Sequence, residues 1–269
     1  MLKVAIIGAA GRMGKATLAC LAGSDEMRLT GAVTEPGDPL LGRDAGDAAQ
    51  LGPLGVALTD DRSDALHEAD VAIDFTLPAA LENNLDACEA TGTALVIGTT
   101  GFSDAQLRLL ERAARHIPLV YARNMSVGVN VFMDLVARAA SVLGDGYDVE
   151  IVEAHHRFKV DAPSGTALAL GERIAGATGR SLNDVAVMSR DGQIGPRAAG
   201  EIGFSVIRGG NIVGEHTVMY VGPEEQLEFR HTAQDRKTFA RGALRAARWV
   251  SARPPGLYSM ADVLGLSGE

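Results

Sequence analysis

The run Glu153-Ala-His155-His156-Arg157-Phe-Lys159-Val-Asp161-Ala-Pro163-Ser164-Gly165-Thr166 places four potential cations, His155, His156, Arg157 and Lys159, within five positions. Like charges that close repel unless they are solvated or share an anion, so the run predicts an anion site. Histidine titrates in the range suited to proton transfer near neutrality, and a partly desolvated lysine serves as a cationic acid. Pro163 and Ser164-Gly165-Thr166 lead into Ala167-Leu-Ala-Leu170, so Ser164 or Thr166 can cap a helix whose first N–H groups suit a carboxylate. Adjacent histidines on an extended segment point to opposite sides, and no Cys or HxxxH spacing accompanies them, so no metal site is expected. The alternative for this stretch is a solvated basic loop. His67 and His116 lie in polar, helical surroundings and read as surface residues.

A second set could hold a dinucleotide. Gly8-Ala9-Ala10-Gly11-Arg12-Met13-Gly14 joins an apolar run to a helical pattern, where backbone N–H groups and the helix dipole can receive a pyrophosphate. The spacing is GxxGxxG, with Ala10 where the standard fingerprint has a glycine. Glu35, at the end of the second strand, stands where an acidic residue bonds the adenosine ribose, and its charge opposes a 2′-phosphate. That favours NADH over NADPH, although Arg12 and Arg43 could reach such a phosphate. Gly98-Thr99-Thr100-Gly101 closes one later strand, and Ala122-Arg123-Asn124-Met125 closes the next, both at the carboxyl edge where open α/β sheets bind ligands. The cofactor-binding set is therefore Gly8 to Met13, Glu35, Gly98 to Thr100 and Ala122 to Met125.

These residues need a scaffold that delivers strand ends. Val4–Ile7, Leu29–Val33, Val71–Phe75, Ala94–Ile97 and Leu119–Tyr121 read as strands buried on both faces. Met13, Ala16, Thr17, Cys20 and Leu21 follow the spacing of a helix stripe, and Asp104–Arg115 is a helix opened by Ser103. The alternation predicts a Rossmann-type α/β fold, a doubly wound parallel sheet. Beyond it, Tyr147–Glu153 reads as a strand and Thr166–Thr178 as a helix. Residues 202–233 read as three extended runs joined as hairpins at Gly209-Gly-Asn211 and Gly222-Pro-Glu224. Helices at Val127–Leu143 and Arg236–Val250 bracket this smaller α+β domain. The predicted domains are 1–125, completed by 236–269, and 126–235, with hinges near Met125 and Gln234. Residues 38–54, rich in Gly and Asp, read as a mobile loop.

The chain has 269 residues and a formal charge of -9, the wrong sign for a general nucleic-acid binder. Its longest unbroken apolar runs are strand-sized, so no membrane partner is expected, and without a secretory leader the cytoplasm is the default. Cys20 and Cys88 lack metal or disulfide spacing and read as thiols on helices.

Three islands, Gly8 to Gly14, Gly98 to Gly101 and Glu153 to Thr166, together resemble one family: the dihydrodipicolinate, or 4-hydroxy-tetrahydrodipicolinate, reductases of the lysine and diaminopimelate pathway. Order and spacing agree across nearly the whole chain, including Asn124 and the late helix after Arg236. The resemblance implies a Rossmann cofactor domain with a smaller central α+β domain, built on an open mixed sheet, that binds a small dicarboxylate and builds a homotetramer. It implies reduction of (2S,4S)-4-hydroxy-2,3,4,5-tetrahydrodipicolinate to (S)-2,3,4,5-tetrahydrodipicolinate, with loss of water, by NADH or NADPH. It further implies that His155 is a proton donor or acceptor, that Lys159 is a second proton donor that also contacts substrate, and that His156, Ser164, Gly165 and Thr166 bind the substrate. One departure stands out: the family often has an acidic-then-basic pair after the second strand, whereas here Thr34-Glu35-Pro36 lacks the basic member. The competing readings are another two-domain nicotinamide reductase, or a dinucleotide sensor without catalysis. A thiohemiacetal mechanism needs a loop cysteine, and both cysteines sit in helical patterns; a sensor needs no proton donors beside an anion site.

Overall fold

In the computed structural model, which describes residues 1–266, the chain divides into two compact units: Met1–Val127 with the segment from Arg236 onward, and Gly128–Asp235. The last three residues of the predicted range 236–269 lie outside the described residues. Chain order begins β1 (Leu2–Ile7), α1 (Arg12–Leu21), β2 (Met27–Val33), α2 (Ala45–Ala48), β3 (Leu58–Thr59), α3 (Arg62–Leu66), β4 (Val71–Asp74), α4 (Leu81–Thr91), β5 (Ala94–Ile97), α5 (Asp104–Ala113) and β6 (Pro118–Tyr121). It continues with α6 (Val127–Leu143), β7 (Asp148–His155), α7 (Gly165–Ala177), α8 (Leu182–Val185), β8 (Ala186–Val187), β9 (Ile202–Arg208), β10 (Gly214–Val221), β11 (Gln226–Ala233), α9 (Lys237–Val250), β12 (Gly256–Tyr258) and α10 (Met260–Leu264).

Strand periodicity divides the first unit's core between the two faces of its sheet. The seven strands run β12-β6-β5-β4-β1-β2-β3, all parallel. Val4, Ile6, Val71, Ile73 and Val96 join one cluster with Leu18 and Leu21 of α1 and Ala243, Ala247 and Val250 of α9. Ala5, Ile7, Ala72, Leu95 and Ile97 join the other, with Leu85 of α4 and Leu110 of α5. Each fully buried aliphatic side chain contributes about 1.5–3 kcal/mol. Helix α9 turns Ala240, Ala243, Ala246 and Ala247 inward and leaves Arg241, Arg245 and Arg248 exposed, so its flat alanine face lies close against the sheet. Ser103 caps α5, accepting from Gln106 N, while the Gln106 side chain accepts from Ser103 N in return. Within residues 38–54, Asp44 caps α2 and also accepts from the backbone N–H groups of Leu54 and Gly55.

The second unit carries a five-stranded mixed sheet ordered β11-β10-β7-β9-β8. Gly222-Pro-Glu224 does turn a hairpin, between antiparallel β10 and β11. The connection at Gly209-Gly-Asn211 does not: β7 lies between β9 and β10, parallel to the first and antiparallel to the second. The reason is the crossover from β7 through α7, which returns the chain beside β7 in parallel and leaves β10 to pair on β7's other edge. Turn residues mark a reversal without saying which strand becomes the neighbour. Helix α6 buries Val129, Phe132, Val136 and Ala140, and the last three join Ile151, Leu170, Phe204 and Val218 in this unit's core. The stretch Val127–Gly146, mean hydropathy 1.4, is by length and composition enough to cross a membrane, a property hidden from a search for unbroken runs by Asn130, Asp134 and Arg138. Its buried stripe at i, i+3, i+7 and i+11 is that of a helix closing a globular core.

Candidate active site

Two places concentrate the chemistry, one in each unit. In the first unit, Gly8 adopts φ +85°, and the N–H groups of Gly8 and Ala9 donate to Val33 O at 2.9 and 2.8 Å, tying the loop to the end of β2. Gly11 precedes α1 without a side-chain cap, leaving the helix N-terminus to the backbone. A Cβ on Gly14 would fall 2.2 Å from Gly8 O, so only glycine lets α1 approach the strand this closely. A cleft of about 570 Å³ opens here, lined by Gly8, Ala10, Gly11, Glu35, Arg62 and Thr76 among others. An uncapped helix start, a left-handed glycine and a cradle with no room for a side chain fit the pyrophosphate of a dinucleotide.

Of the residues predicted to bind a cofactor, Gly8, Ala10, Gly11 and Glu35 line this cleft. Ala9 is buried, Arg12 is exposed, and Met13 is half-buried on α1. Gly98, Thr99 and Thr100 follow β5, with Thr99 buried and bonded to Asp74 Oδ1 and Thr76 O at 3.3 and 3.1 Å. Ala122 to Met125 follow β6; Arg123 is exposed, Met125 is buried in the first core, and Asn124 Oδ1 accepts from Ser126 N at 2.9 Å.

The sequence reading missed three further groups around this cleft. Asp38 accepts from Thr34 Oγ1 at 2.6 Å, and that bond holds its carboxyl below the usual range. Asp74, fully buried at the end of β4, accepts from Thr76 N, Thr76 Oγ1 and Asn84 Nδ2 at 2.7, 2.6 and 2.9 Å. Burial pushes its pKa up against those bonds. Arg62 donates from Nε to Asn84 Oδ1 at 2.8 Å, so a guanidinium is anchored through Asn84 to Asp74. A carboxylate closing an otherwise apolar strand, Val71-Ala-Ile-Asp74, is the signal that could have revealed the centre of this network.

In the second unit, the basic run folds around Glu153, whose side chain is 1 % exposed. Its Oε2 lies 2.6 Å from His155 Nδ1 and accepts from Arg208 Nη1 at 2.8 Å; its Oε1 accepts from Arg208 Nη2 at 2.8 Å and Ser164 N at 2.9 Å. Burial alone would raise the Glu153 carboxyl, but Arg208, His155 and the Ser164 N–H outweigh it and hold it below the usual range. Burial pushes His155 down, against the pull of Glu153. His216 of β10 lies edge-on to His155 with ring centroids 5.1 Å apart, and its Nε2 is 3.1 Å from Ser164 Oγ. Burial, helped by the neighbouring His155, pushes His216 down to about 3, so it is neutral near pH 7. Gly214 makes room for the His155 ring, since a Cβ there would lie 3.1 Å from Nε2.

Ser164, not Thr166, is the N-cap of α7, accepting from Ala167 N at 3.2 Å; Gly165 and Thr166 form its first turn. Lys159 Nζ pairs with Asp161 Oδ1 at 2.9 Å, and the half-buried His156 has an Nδ1 without a partner among the described residues. His155 and Ser164 thus meet at one carboxylate. Arg208 and His216 were missed because they arrive from β9 and β10, and nothing in their local spacing marks them. Cys88 is buried on α4 and Cys20 half-buried on α1, both as free thiols.

Residues 2–125 match the N-terminal model and residues 128–264 the C-terminal model of dihydrodipicolinate reductase. The chain belongs to the dihydrodipicolinate reductase family. It is 55% identical over 264 residues to the 4-hydroxy-tetrahydrodipicolinate reductase of Alkalilimnicola ehrlichii, covering 98% of this chain and 99% of that one. The Thiobacillus denitrificans protein of the same name is 53% identical, covering 98% of each chain. Among solved structures, the dipicolinate-bound dihydrodipicolinate reductase of Paenisporosarcina sp. TG-14 shares the fold, with a TM-score of 0.76 at 23% identity over 97% of this chain and 98% of that one. As a member of this reductase family, the chain is an NAD(P)H-dependent oxidoreductase.

Proposed function

We propose that the chain reduces (2S,4S)-4-hydroxy-2,3,4,5-tetrahydrodipicolinate to (S)-2,3,4,5-tetrahydrodipicolinate, with loss of water, in lysine and diaminopimelate biosynthesis. The observation that carries this reading is the assembly of His155, Ser164 and the start of α7 around Glu153, in a chain half-identical to named reductases over its full length. Substrate carboxylates are held by Lys159, His156, Ser164 and the first N–H groups of α7, Gly165 and Thr166 included. His155 and Lys159 supply the proton that neutralises charge developing on the reduced ring. A bound nicotinamide supplies the hydride. Gly8 to Met13 with Gly98 to Thr100 and Ala122 to Met125 hold its dinucleotide, and Glu35 reads the adenosine ribose.

The cofactor reading leans to NADH, because Glu35 and Asp38 bring two carboxylates to the cleft and Arg62 a single guanidinium. Residues 1–125 with 236–269 form the dinucleotide-binding domain, and 126–235 the domain for substrate and assembly. The protein works in the cytoplasm as a homotetramer; the face of the mixed sheet that leaves Ser205, Ile207, Val221 and Glu228 exposed supports contact between copies. Consumption of NADH, followed by its absorbance with substrate made in place by the upstream synthase, tests the reaction. Rapid turnover is expected. Dinucleotide binding without turnover would move the chain to another reductase or to a sensor. Sedimentation velocity tests the tetramer.

A further inference from the structure

The buried Glu153 and the half-buried Arg208 bond His155, the Ser164 N–H and Asp161 O without being groups that substrate need meet. Arg208 grips both oxygens of Glu153, one from each Nη, the fork geometry in which guanidinium binds carboxylate best. The same Nη2 donates to Asp161 O at 2.6 Å, and Asp161 pairs through its side chain with Lys159. Glu153 Oε1 receives the Ser164 N–H, which sets the turn opening α7. Glu153 Oε2 faces His155 Nδ1. Gly209 N donates to His155 O at 2.9 Å, so the residue after Arg208 fixes the backbone of the histidine as well.

We propose that Glu153, clamped by Arg208, is the positioning residue that fixes the tautomer of His155 and sets it in register with Lys159 and the Ser164 turn. This rests on the reading of His155 as the proton-transfer group. The chemistry follows from donor and acceptor capacity. An ionised carboxylate only accepts, so Nδ1 carries a hydrogen whether His155 is neutral or cationic, and Nε2 is the nitrogen whose proton comes and goes. Without Arg208, Glu153 would be an unpaired buried charge and would take a proton; then it could donate to Nδ1 and reverse the tautomer. The charged and titratable groups around the ring are Glu153 on its own strand, Arg208 on β9, His216 on β10, and Lys159 and Asp161 on the following loop.

Glu153→Gln, Glu153→Asp and Arg208→Lys test this, with thermal unfolding as a check on folding. The amide introduced by Glu153→Gln must turn its donors either toward Arg208 Nη2 and Ser164 N or toward Arg208 Nη1 and His155 Nδ1, so at least one contact is lost whichever way it lies. The expected result is a fall in kcat of about 100-fold for Glu153→Gln, with KM for the dinucleotide unchanged within about twofold. The limb of the pH profile that reports His155 moves to lower pH by about one unit, because a carboxylate that favours the cation is gone. Glu153→Asp recovers part of kcat. Arg208→Lys keeps the charge but loses the fork, and kcat falls about tenfold. A folded Glu153→Gln with unchanged kcat and pH limb overturns the proposal; if that variant does not fold, unchanged values in Arg208→Lys overturn it instead. Nitrogen NMR of His155 in the wild-type protein is independent of activity: hydrogen on Nδ1 is expected, and a neutral ring bearing it on Nε2 contradicts the proposal. Should the wild type turn over no substrate, the reaction assignment fails while the NMR result still decides the role of Glu153.

Discussion

At the end of β1 the chain offers a ligand its backbone, in N–H groups and an uncapped helix start exposed by glycines, whereas at the end of β7 it offers side chains in a buried ionic lattice around Glu153. The first arrangement is local. A single stretch, Gly8 to Gly14, makes the loop, and the neighbouring strand end contributes one carbonyl, Val33 O. The second is assembled from afar, since Arg208 and His216 lie 55 and 52 positions from the partners they bond. A backbone cradle tolerates many side chains around it and no added carbon inside it. An ionic centre depends instead on each member's charge and proton, so it is the part that pH and single charge changes will disturb.

Lys159→Met should produce the largest separation between the two regions. Turnover is expected to fall by about 10²–10⁴-fold, while dinucleotide affinity, measured by fluorescence titration, stays at its wild-type value. Loss of affinity along with turnover would break the comparison. Gly14→Ala makes the complementary change. It forces a carbon against Gly8 O, and we expect about 1–3 kcal/mol of lost stability in urea titration, together with weakened dinucleotide binding.

Smaller effects sharpen each side. Arg62→Ala should lower kcat/KM for NADPH about tenfold and leave NADH within about twofold, the worth of one charged hydrogen bond to a 2′-phosphate. Glu35→Ala should raise NADPH use; equal responses of both cofactors to either change would remove these residues from the ribose site. On the ionic side, His216 is neutral in the fold and protonated at acid pH in the unfolded chain. This one ring should therefore cost stability as pH drops below about 6.5, the unfolded value, by at most about 1.4 kcal/mol per pH unit, and His155, also pushed down by burial, adds in the same direction. The fall continues to the folded value of about 3. Glu153, held low, acts in the same direction only below about pH 4.3, where the unfolded carboxylate takes its proton. His216→Asn should flatten the upper part of this slope, read from urea unfolding across pH, and an unchanged slope would contradict a buried neutral ring.

The same contrast explains what could be read in advance. Runs such as Val71-Ala-Ile and Ala94-Leu-Val-Ile97 announce doubly covered strands because parallel sheets bury both faces, and their alternation with helical stretches such as Met13 to Leu21 and Asp104 to Arg115 points to the layers. Within α1 the buried face is Gly14, Thr17, Leu18 and Leu21, so of the expected stripe Thr17 and Leu21 are buried while Met13, Ala16 and Cys20 are half-buried. Gly8 to Gly14 and His155 to Thr166 were visible because each packs its chemistry into a short stretch. Arg208 was not, since it sits at the end of an ordinary strand, and its importance depends on β9 lying beside β7. That pairing was itself obscured, because Gly209-Gly-Asn211 has the composition of a hairpin turn yet carries the chain past the end of β7. Glu153 was visible only as the first residue of the basic run; that one carboxylate gathers Arg208, His155 and the Ser164 turn is a property of register.

Titration of His155→Gln with NADH, paired with its rate of NADH oxidation in the presence of the hydroxy-tetrahydrodipicolinate substrate, tests the division of labour most directly. The predicted result is wild-type affinity for NADH with turnover reduced at least about 100-fold. Turnover that persists, or an affinity that falls as far as the rate does, would contradict it.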